Sequence, residues 1–354
     1  MFFGKKQKKD KSHDSGNNKG SRKSTKKLLK RIVIIMGSVI IIFSAVSMSI
    51  VVILYSVVFT RYDRPEICAE FVYSDISDIY SREQVYFESG KNKLAGYIYG
   101  AENTQGLIVL SHGMARGADS YLAQILYFVD RGWQVFAFDF TGSYESEGSS
   151  VGGFSQGVYD LDAALDYIET QDRFDGLPIV LFGHSWGGYA VCAVSAYEKH
   201  NIAAIVSVSS FDSSEEIVFH YTHKYINAYT YTQIPFFRAY ESIAFGEVAG
   251  LTATDGINAS DVPVMLIHSE SDEVVPFDIS VISHADEITN GRVICEIAER
   301  SHTGLLYDEE AEELRNSINS GNTKPSGEEV AEANAVNTEL MDKINNFLLS
   351  TIAE

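Results

Sequence analysis

Apolar and polar positions along the chain predict a parallel sheet wrapped by helices. Residues 84–87 and 94–99 alternate on either side of a Ser-Gly-Lys-Asn turn, as in an antiparallel hairpin. Beyond them, short apolar runs of strand length alternate with helical patterns. The predicted strands are 106–110, 133–138, 179–182, 203–208, 264–267 and 293–297. Such alternation indicates an α/β fold, with a mostly parallel sheet flanked by helices.

The predicted helices show the apolar spacing of one buried face. Residues 121–129 suit a helix, and Val158, Leu161, Leu165 and Ile168 recur at intervals of three and four. Near the end of the chain, Ser326 and Glu329 form a capping box, which we expect to open the last helix. Val336, Leu340, Ile344 and Phe347 give that helix its apolar stripe.

Residues 32–60 form a stretch of 29 residues without a charged side chain. Since about 20 apolar residues span a bilayer core, this stretch is predicted to be a transmembrane signal anchor. Residues 1–31 carry 12 Lys or Arg and 2 Asp or Glu and are expected to be a disordered, cytoplasmic tail. These features predict a single-pass protein of the cell membrane whose larger part lies outside the cytoplasm.

The remainder of the chain is acidic, because the whole chain has a net charge of −20 despite its basic tail. This balance argues against a nucleic-acid partner, which would require clustered cations. We interpret residues 61–82 as a connector and 83–354 as one α/β domain. No obligate protein partner is indicated.

Residues 211–261 interrupt the alternation of strands and helices with many aromatic residues. A long insertion between two sheet strands predicts a helical cap over a site, with a simple surface excursion as the alternative. His220 and His223 lie one helical turn apart in it, but a pair without further ligands does not indicate a metal. We therefore expect neither a metal nor a cofactor.

A candidate nucleophile follows the strand at 179–182. Gly183-His-Ser185-Trp-Gly187 is a G-x-S-x-G sequence between a strand and a small-residue helical pattern, the context of a nucleophile elbow. The backbone N–H of Trp186 would then start a helix and bind an oxyanion. A second match, at residues 148–152, follows an acidic, Ser-rich loop and lacks this context.

A serine nucleophile needs an imidazole base and a carboxylate that orients it. Asp272 and His302 follow the predicted strands at 264–267 and 293–297, in the order Ser, acid, His. Glu270 is the alternative acid, whereas His184 and His268 are expected to structure the site. The loop after residue 110 contains His112-Gly-Met114, which makes the backbone N–H of Met114 the second predicted oxyanion donor.

These motifs together resemble the α/β-hydrolase superfamily, in its monoglyceride-lipase-like and serine-aminopeptidase-like branch. The resemblance covers about residues 84–350 and implies an α/β-hydrolase fold with a Ser-His-Asp triad. Two departures concern the shape of the pocket. The loop at 139–146 lacks the Arg and the second Gly of the family's D-x-R-G-x-G-x-S sequence, and Ser269 follows His268 where Gly is usual.

The sequence therefore predicts a membrane-anchored serine hydrolase, which cleaves a carboxylic ester or thioester of lipid or acyl type through an acyl-enzyme. A serine peptidase would use the same chemistry, with Glu215 or Glu216 of the cap as a possible partner for a substrate amine. An acyltransferase and a catalytically inactive surface-binding domain are further alternatives. The small-molecule ester, acyl or peptide substrate is not specified by these residues.

Overall fold

The computed structural model describes Met1, Gly4 and residues 17–353, and contains one eight-stranded sheet. Its strands are β1 (Arg82–Ser89), β2 (Asn92–Tyr99), β3 (Leu107–Ser111), β4 (Gln134–Phe138), β5 (Ile179–His184), β6 (Ile202–Val208), β7 (Val264–Ser269) and β8 (Val293–Ala298). They lie in the order β1-β2-β4-β3-β5-β6-β7-β8. The sheet confirms the predicted α/β fold, and each predicted strand lies within one or two residues of an observed one.

Strand direction divides the sheet into two parts. β1 and β2 form an antiparallel hairpin, and β2 is antiparallel to β4. The pairs from β4 through β8 are parallel. Parallel strands share one carboxyl edge, and ligand sites in such folds form at that edge. The loops after β3, β5, β7 and β8 therefore converge.

Helices cover both faces of the sheet. Successive strand residues point to opposite faces, so Val109 and Leu181 belong to one apolar core and Ile108 and Val180 to the other. The helices are α1 (Asn17–Val58), α2 (Tyr73–Ile76), α3 (Leu122–Val129), α4 (Phe154–Glu169), α5 (Trp186–Ala193), α6 (Ser214–Ile226), α7 (Thr230–Phe245), α8 (Ala253–Asn258), α9 (Glu309–Ser320), α10 (Gly327–Glu332) and α11 (Thr338–Ile352). The predicted cap, 211–261, contains α6, α7 and α8.

The N-terminal helix is longer than the sequence predicts. It begins at Asn17, so residues 17–31, expected to be disordered, are helical. Lys, Arg and Leu favour helix, and an apolar helix that has already formed propagates readily into such residues. Residues 2–3 and 5–16 of the predicted tail lie outside the described residues. The stretch from Arg22 to Val58 is long and apolar enough to cross a membrane.

The chain forms two units, Met1–Ile50 and Val51–Glu354. The last two turns of α1 thus belong to the same unit as the sheet. Val51, Tyr55 and Phe59 are buried in its core.

One helix boundary differs from its prediction. Ser326 and Glu329 form the expected capping box, but the helix that they open is α10, which ends at Glu332. The last helix, α11, is capped separately by the side chain of Asn337, which accepts a hydrogen bond from the N–H of Leu340. The capping box is therefore confirmed as a local motif, and the prediction that it opens the last helix is wrong.

Candidate active site

Ser185 occupies a sharp turn between β5 and α5. Its backbone has φ 57° and ψ −119°, a left-handed conformation that a side chain disfavours. The N–H of Ser185 donates to the carbonyl of Val208, 2.8 Å away at the end of β6. This bond and the start of α5 hold the strained residue at the carboxyl edge of the sheet.

Two glycines allow the turn to be this tight. A Cβ atom at Gly183 would lie 2.2 Å from the carbonyl oxygen of Gly187. A Cβ atom at Gly187 would lie 2.1 Å from the carbonyl oxygen of Ser111, at the end of β3. Both contacts are with backbone, which no rotamer change relieves. The framing glycines of the motif are therefore a packing requirement of this strand-to-helix turn.

His302 and Asp272, from the loops after β8 and β7, form a buried pair. Nδ1 of His302 lies 2.8 Å from Oδ2 and 3.0 Å from Oδ1 of Asp272. Two backbone N–H groups, those of Val274 and Val275, also donate to Oδ1, at 2.9 and 2.7 Å. With Nδ1 directed at the carboxylate, Nε2 is the nitrogen left to exchange a proton with a substrate or nucleophile.

Asp272 is held in its charged form. Burial raises the pKa of its carboxyl, but the hydrogen bond and charge of His302 and the N–H groups of Val275 and Val274 more than offset this and lower the pKa below its ordinary value. The alternative acid, Glu270, is exposed and has no contact with His302 among the described residues. Of the two predicted acids, the structure thus brings Asp272 to the histidine.

A chain of hydrogen bonds joins the loop after β3 to His302. The N–H of Gly113 donates to the hydroxyl of Tyr121 at 3.0 Å, and this hydroxyl lies 2.8 Å from Nδ1 of His184. Nε2 of His184 lies 3.1 Å from the carbonyl oxygen of His302. Since that carbonyl accepts only, Nε2 carries the proton of His184, and the Tyr121 hydroxyl donates to Nδ1.

Burial keeps both members of this chain uncharged. It lowers the pKa of His184 to about 3, and the nearby His302 contributes to this lowering, so the imidazole is neutral. Burial raises the pKa of the Tyr121 phenol, which keeps its proton available for donation. Ser209 adds a second bond to the carbonyl of His302, at 3.1 Å. The backbone of the candidate base is thereby held from two sides.

The two predicted oxyanion donors lie beside Ser185. A Cβ atom at Gly113 would be 3.3 Å from the Cβ of Ser185, which shows how closely the loop after β3 approaches it. Met114 and Ser185 line the same cavity. Among the described residues, the backbone N–H groups of Met114 and Trp186 have no hydrogen-bond acceptor. Both groups are free to bind a negatively charged oxygen.

Two further histidines brace the loops of the site. Nε2 of His112 accepts from the N–H of Phe140 at 2.9 Å, so Nδ1 carries the proton and donates to the carbonyl of Gly113 at 2.7 Å. Burial lowers the pKa of His112 to about 4. Nε2 of His268 contacts the carbonyl of Val275 at 2.9 Å. Both side chains are engaged with backbone, in the structuring role that the sequence predicts for His268.

The hydroxyl of Ser185 itself has no hydrogen-bond partner within the described part of the chain, His302 included. The rings of His184 and His302 are nevertheless only 4.8 Å apart between centroids, and Ser185 follows His184 directly. Such bonds are often long in free enzymes and tighten when substrate binds.

A cavity of about 420 Å³ opens at Ser185. Its lining includes Met114 and Phe211 beside the serine, Val274 and Val275 from the acid loop, and side chains of α1 and α6. No Asp, Glu, Lys, Arg or His residue of the described ranges lines it. Its size and apolar lining are those of a pocket for a small apolar group. We call this cavity the Ser185 pocket.

Two clusters elsewhere bring possible metal ligands together. Asp162, Asp166 and His200 form one cluster, and Lys199 pairs with both of its carboxylates. The other consists of Asp212, Glu216 and His284. None of these residues lines the Ser185 pocket. Neither cluster is therefore part of the serine site.

Three contributors to the site are not identified by the sequence analysis. Tyr121 lies at a predicted helix start, Ser209 lies after β6 with φ 52°, and a carboxylate oxygen of Glu273 accepts from the N–H of His302 at 3.1 Å. Each acts through a partner distant in sequence. A local signal exists for Glu273 alone, because it lies next to the predicted acid.

Comparisons with known proteins agree with the fold. A family model described as "Serine aminopeptidase, S33" matches residues 102–235. The protein YfhR of Escherichia coli O157:H7 is 26% identical over 244 residues, covering 65% of this chain and 79% of YfhR. Human monoglyceride lipase is 32% identical over 107 residues, covering 30% of this chain and 35% of the lipase. An esterase of Pyrococcus furiosus superposes with a TM-score of 0.52 at 18% identity, covering 70% of this chain and 92% of the esterase.

The fold, the strand-to-helix serine turn and these similarities define an α/β-hydrolase. Within that superfamily the chain is similar to the serine aminopeptidase family model and to monoglyceride lipase, and it is a hydrolase of the esterase and lipase type. The predicted enzyme class is confirmed. The matched family region ends at residue 235, before Asp272 and His302.

Proposed function

We propose that the protein is a membrane-anchored serine hydrolase that cleaves an acyl ester or thioester through a Ser185–His302–Asp272 triad. The observation that carries the proposal is the convergence of three features at one edge of the sheet. These are the strained serine, the buried His302–Asp272 pair and an uncharged pocket that opens at the serine.

In the proposed reaction, Oγ of Ser185 attacks the carbonyl carbon of the substrate while Nε2 of His302 takes the hydroxyl proton. The negative charge moves to the carbonyl oxygen, which the N–H groups of Met114 and Trp186 bind. The bond to the leaving alcohol or thiol then breaks, and His302 returns its proton to the leaving group. A water molecule, activated by His302, hydrolyses the acyl-enzyme and regenerates Ser185.

Asp272 fixes the orientation of His302 and stabilises the imidazolium that forms. Its lowered pKa supports this role, because the carboxylate remains charged whenever the histidine gains a proton.

The lining of the pocket favours an ester over a peptide. A peptidase that binds a substrate amine would be expected to place a carboxylate near the serine. Glu215 instead pairs with Arg238, at 2.5 and 2.7 Å, and Glu216 lies 3.2 Å from Nε2 of His284. Neither glutamate lines the Ser185 pocket. An acyl group without charge is therefore the better match.

We further propose that α1 anchors the enzyme in the cell membrane with its N-terminus in the cytoplasm. Its length and apolar composition support a membrane span, and the Lys and Arg residues on the N-terminal side of its apolar stretch support this orientation. Addition of protease to intact cells should then remove an epitope at the C-terminus. An epitope that is cleaved only after lysis would contradict the orientation.

Labelling with a fluorophosphonate tests the catalytic proposal. The intact full-length protein, in detergent micelles, should gain the mass of one phosphonyl group, and peptide mapping should place it on Ser185. Ser185→Ala should not react, whereas Ser150→Ala, at the second G-x-S-x-G match, should react like the wild type. A wild-type protein that stays unlabelled while folded would refute the proposed mechanism.

A further inference from the structure

The last two turns of α1 line the Ser185 pocket. We infer that residues 54–59 form one wall of an acyl-binding pocket, and that this wall sets the length of acyl chain that the enzyme accepts. The inference rests on the proposed function, since it takes Ser185 as the nucleophile. It gives the N-terminal helix a role in substrate selection, in addition to that of an anchor.

One face of the helix supplies the wall. Leu54, Tyr55 and Val58 line the pocket from one side of α1, and Phe59, the residue after the helix, lines it as well. The other side behaves differently, because Ile53 and Val57 are 60% and 69% exposed and do not contribute to the pocket. The contribution of α1 is thus specific to one face.

The opposite wall comes from α6. Ile217, Val218 and Tyr221 line the pocket, and the Tyr221 hydroxyl donates to the carbonyl of Val274 at 2.6 Å. Since Val274 belongs to the loop that carries Asp272, this bond holds the α6 wall against the acid loop. The pocket therefore lies between two helices, with the nucleophile in its lining.

Buried polar contacts fix the last two turns of α1 in this position. The hydroxyl of Tyr55 donates to the carboxylate of Glu241 on α7, which is 2% exposed. The same carboxylate accepts from Ser155 on α4 at 2.7 Å and from Ser214 on α6 at 3.4 Å. Tyr55 also packs on Tyr240, with centroids 4.3 Å apart. The buried carboxylate of Glu241 thus joins α1, α4, α6 and α7, and it holds the end of α1 firmly against the other three helices.

The end of α1 is hydrogen-bonded to the loop that precedes α4. The N–H of Val151 and the hydroxyl of Ser150 donate to the carbonyl of Phe59. At Gly153, with φ 153°, a Cβ atom would lie 2.9 Å from the ring of Tyr55. The second G-x-S-x-G match, 148–152, is therefore a docking loop for the helix.

The guanidinium of Arg61 secures the same loop. It donates to the carbonyls of Ser146 and Gly148 at 2.8 and 3.1 Å. The 139–146 segment departs from the family sequence in lacking an arginine of its own, and here an arginine from the connector binds its end. The end of α1, Arg61 of the connector and the loop before α4 thus pack together.

The occupant that fits this site is one unbranched acyl chain, attached through its ester carbonyl at Ser185. Such a chain offers only apolar surface, which matches a lining without charged residues. Each methylene that leaves water for an apolar wall strengthens binding by about fourfold. If α1 limits the length of the acyl chain, the carbons of that acyl chain must contact Leu54 and Val58. These two residues are therefore the best positions for a test by substitution.

The test measures kcat/KM of the full-length enzyme in micelles on p-nitrophenyl esters of increasing chain length. We expect wild-type kcat/KM to rise by about fourfold per methylene over the covered part of the chain. Leu54→Trp should lower the ratio of kcat/KM for dodecanoate to that for butyrate by about tenfold, which corresponds to nearly two methylenes returned to water. Leu54→Ala should shift the preference toward longer chains.

Val57→Trp is the matched control, since it adds the same side chain to the exposed face of the same turns and should keep the wild-type ratio. Should Leu54→Trp fail to fold, Val58→Trp carries the test at a second position on the pocket face. The inference is overturned if Ser185 reacts with the fluorophosphonate and yet neither tryptophan on the pocket face changes the chain-length ratio. If Ser185 does not react, the proposed function fails first.

Discussion

The hydroxyl of Tyr121 lies 2.8 Å from Nδ1 of His184, and through this contact the oxyanion loop and the candidate base are parts of one hydrogen-bonded chain. Tyr121 accepts from Gly113 on one side, while His184 reaches the carbonyl of His302 on the other. The residue directly after His184 is the candidate nucleophile. A single buried phenol therefore positions groups on both sides of Ser185.

Removing the hydroxyl of Tyr121 should weaken catalysis as well as stability. Tyr121→Phe leaves the N–H of Gly113 and Nδ1 of His184 without their partner, at a cost of about 1–3 kcal/mol. We expect kcat on a p-nitrophenyl ester to fall about tenfold or more, with KM changed much less, because the affected groups contact the reacting atoms only indirectly.

The control for this experiment is Tyr229→Phe, which removes the same hydroxyl from a side chain that is 45% exposed and outside the pocket. It should keep wild-type kcat and melting temperature. If Tyr121→Phe loses activity only in proportion to the folded fraction, the phenol has a structural role alone.

The carboxylate that orients His302 can be tested against its neighbour. Asp272→Asn keeps the shape of the side chain but removes the charge that favours the required tautomer and the imidazolium. We expect kcat to fall by roughly 10³–10⁴. Glu270→Gln, at the exposed alternative acid, should have little effect on kcat. The reverse ranking of the two variants would assign the role to Glu270.

Gly187, the second glycine of the G-x-S-x-G motif, should not tolerate a methyl group. In Gly187→Ala the new Cβ would lie 2.1 Å from the carbonyl oxygen of Ser111, so β3 or α5 must move. We expect a loss of about 3 kcal/mol or more in stability, seen as a lower melting temperature or poor yield of folded protein. Gly291→Ala provides the comparison, since a Cβ atom at that position would have no neighbouring atom within 4 Å. Equal melting temperatures for the two variants would be inconsistent with the packing described.

The sheet and the serine turn could be predicted because their signals are local. An apolar run marks a buried strand, and glycines on both sides of Ser185 mark a turn that no larger residue permits. Asp272 and His302 could be proposed from their positions directly after strands, because parallel strands bring such loops to one edge. The structure places these two residues in contact.

The other parts depend on packing between distant segments. Leu54 and Tyr55 are apolar residues in an uncharged helix, and the pattern of such a helix does not distinguish a lipid-facing side chain from one that lines a pocket. The sequence of the 148–152 match indicates a loop. That this loop binds the end of α1 depends on the hydrogen bond between Ser150 and Phe59, which are 91 positions apart. The role of Tyr121 likewise cannot be predicted from the sequence, because it depends on which strand end lies next to its hydroxyl.

The buried histidines predict how stability depends on pH. Burial lowers the pKa of His184 to about 3, whereas in the unfolded chain a histidine titrates near 6.5. Below about pH 6.5 the unfolded state therefore binds a proton that the folded state does not, so acidification favours unfolding. The contribution of His184 is fully present above pH 6.5 and is lost as the pH falls toward about 3, at about 1.4 kcal/mol per pH unit.

His112, with its pKa lowered to about 4, should add a second proton to this dependence. Unfolding free energies of the full-length protein, measured between about pH 7 and pH 5, should show a smaller slope in His184→Gln and in His112→Gln, with a difference that approaches one proton at the acidic end of this range. Both variants are expected to be less stable than the wild type at neutral pH, because each loses two buried hydrogen bonds, and this difference should shrink on acidification. If the slope stays at the wild-type value in both variants, then neither imidazole is held neutral by the fold, and Nδ1 of His184 would donate to the hydroxyl of Tyr121 instead of accepting from it.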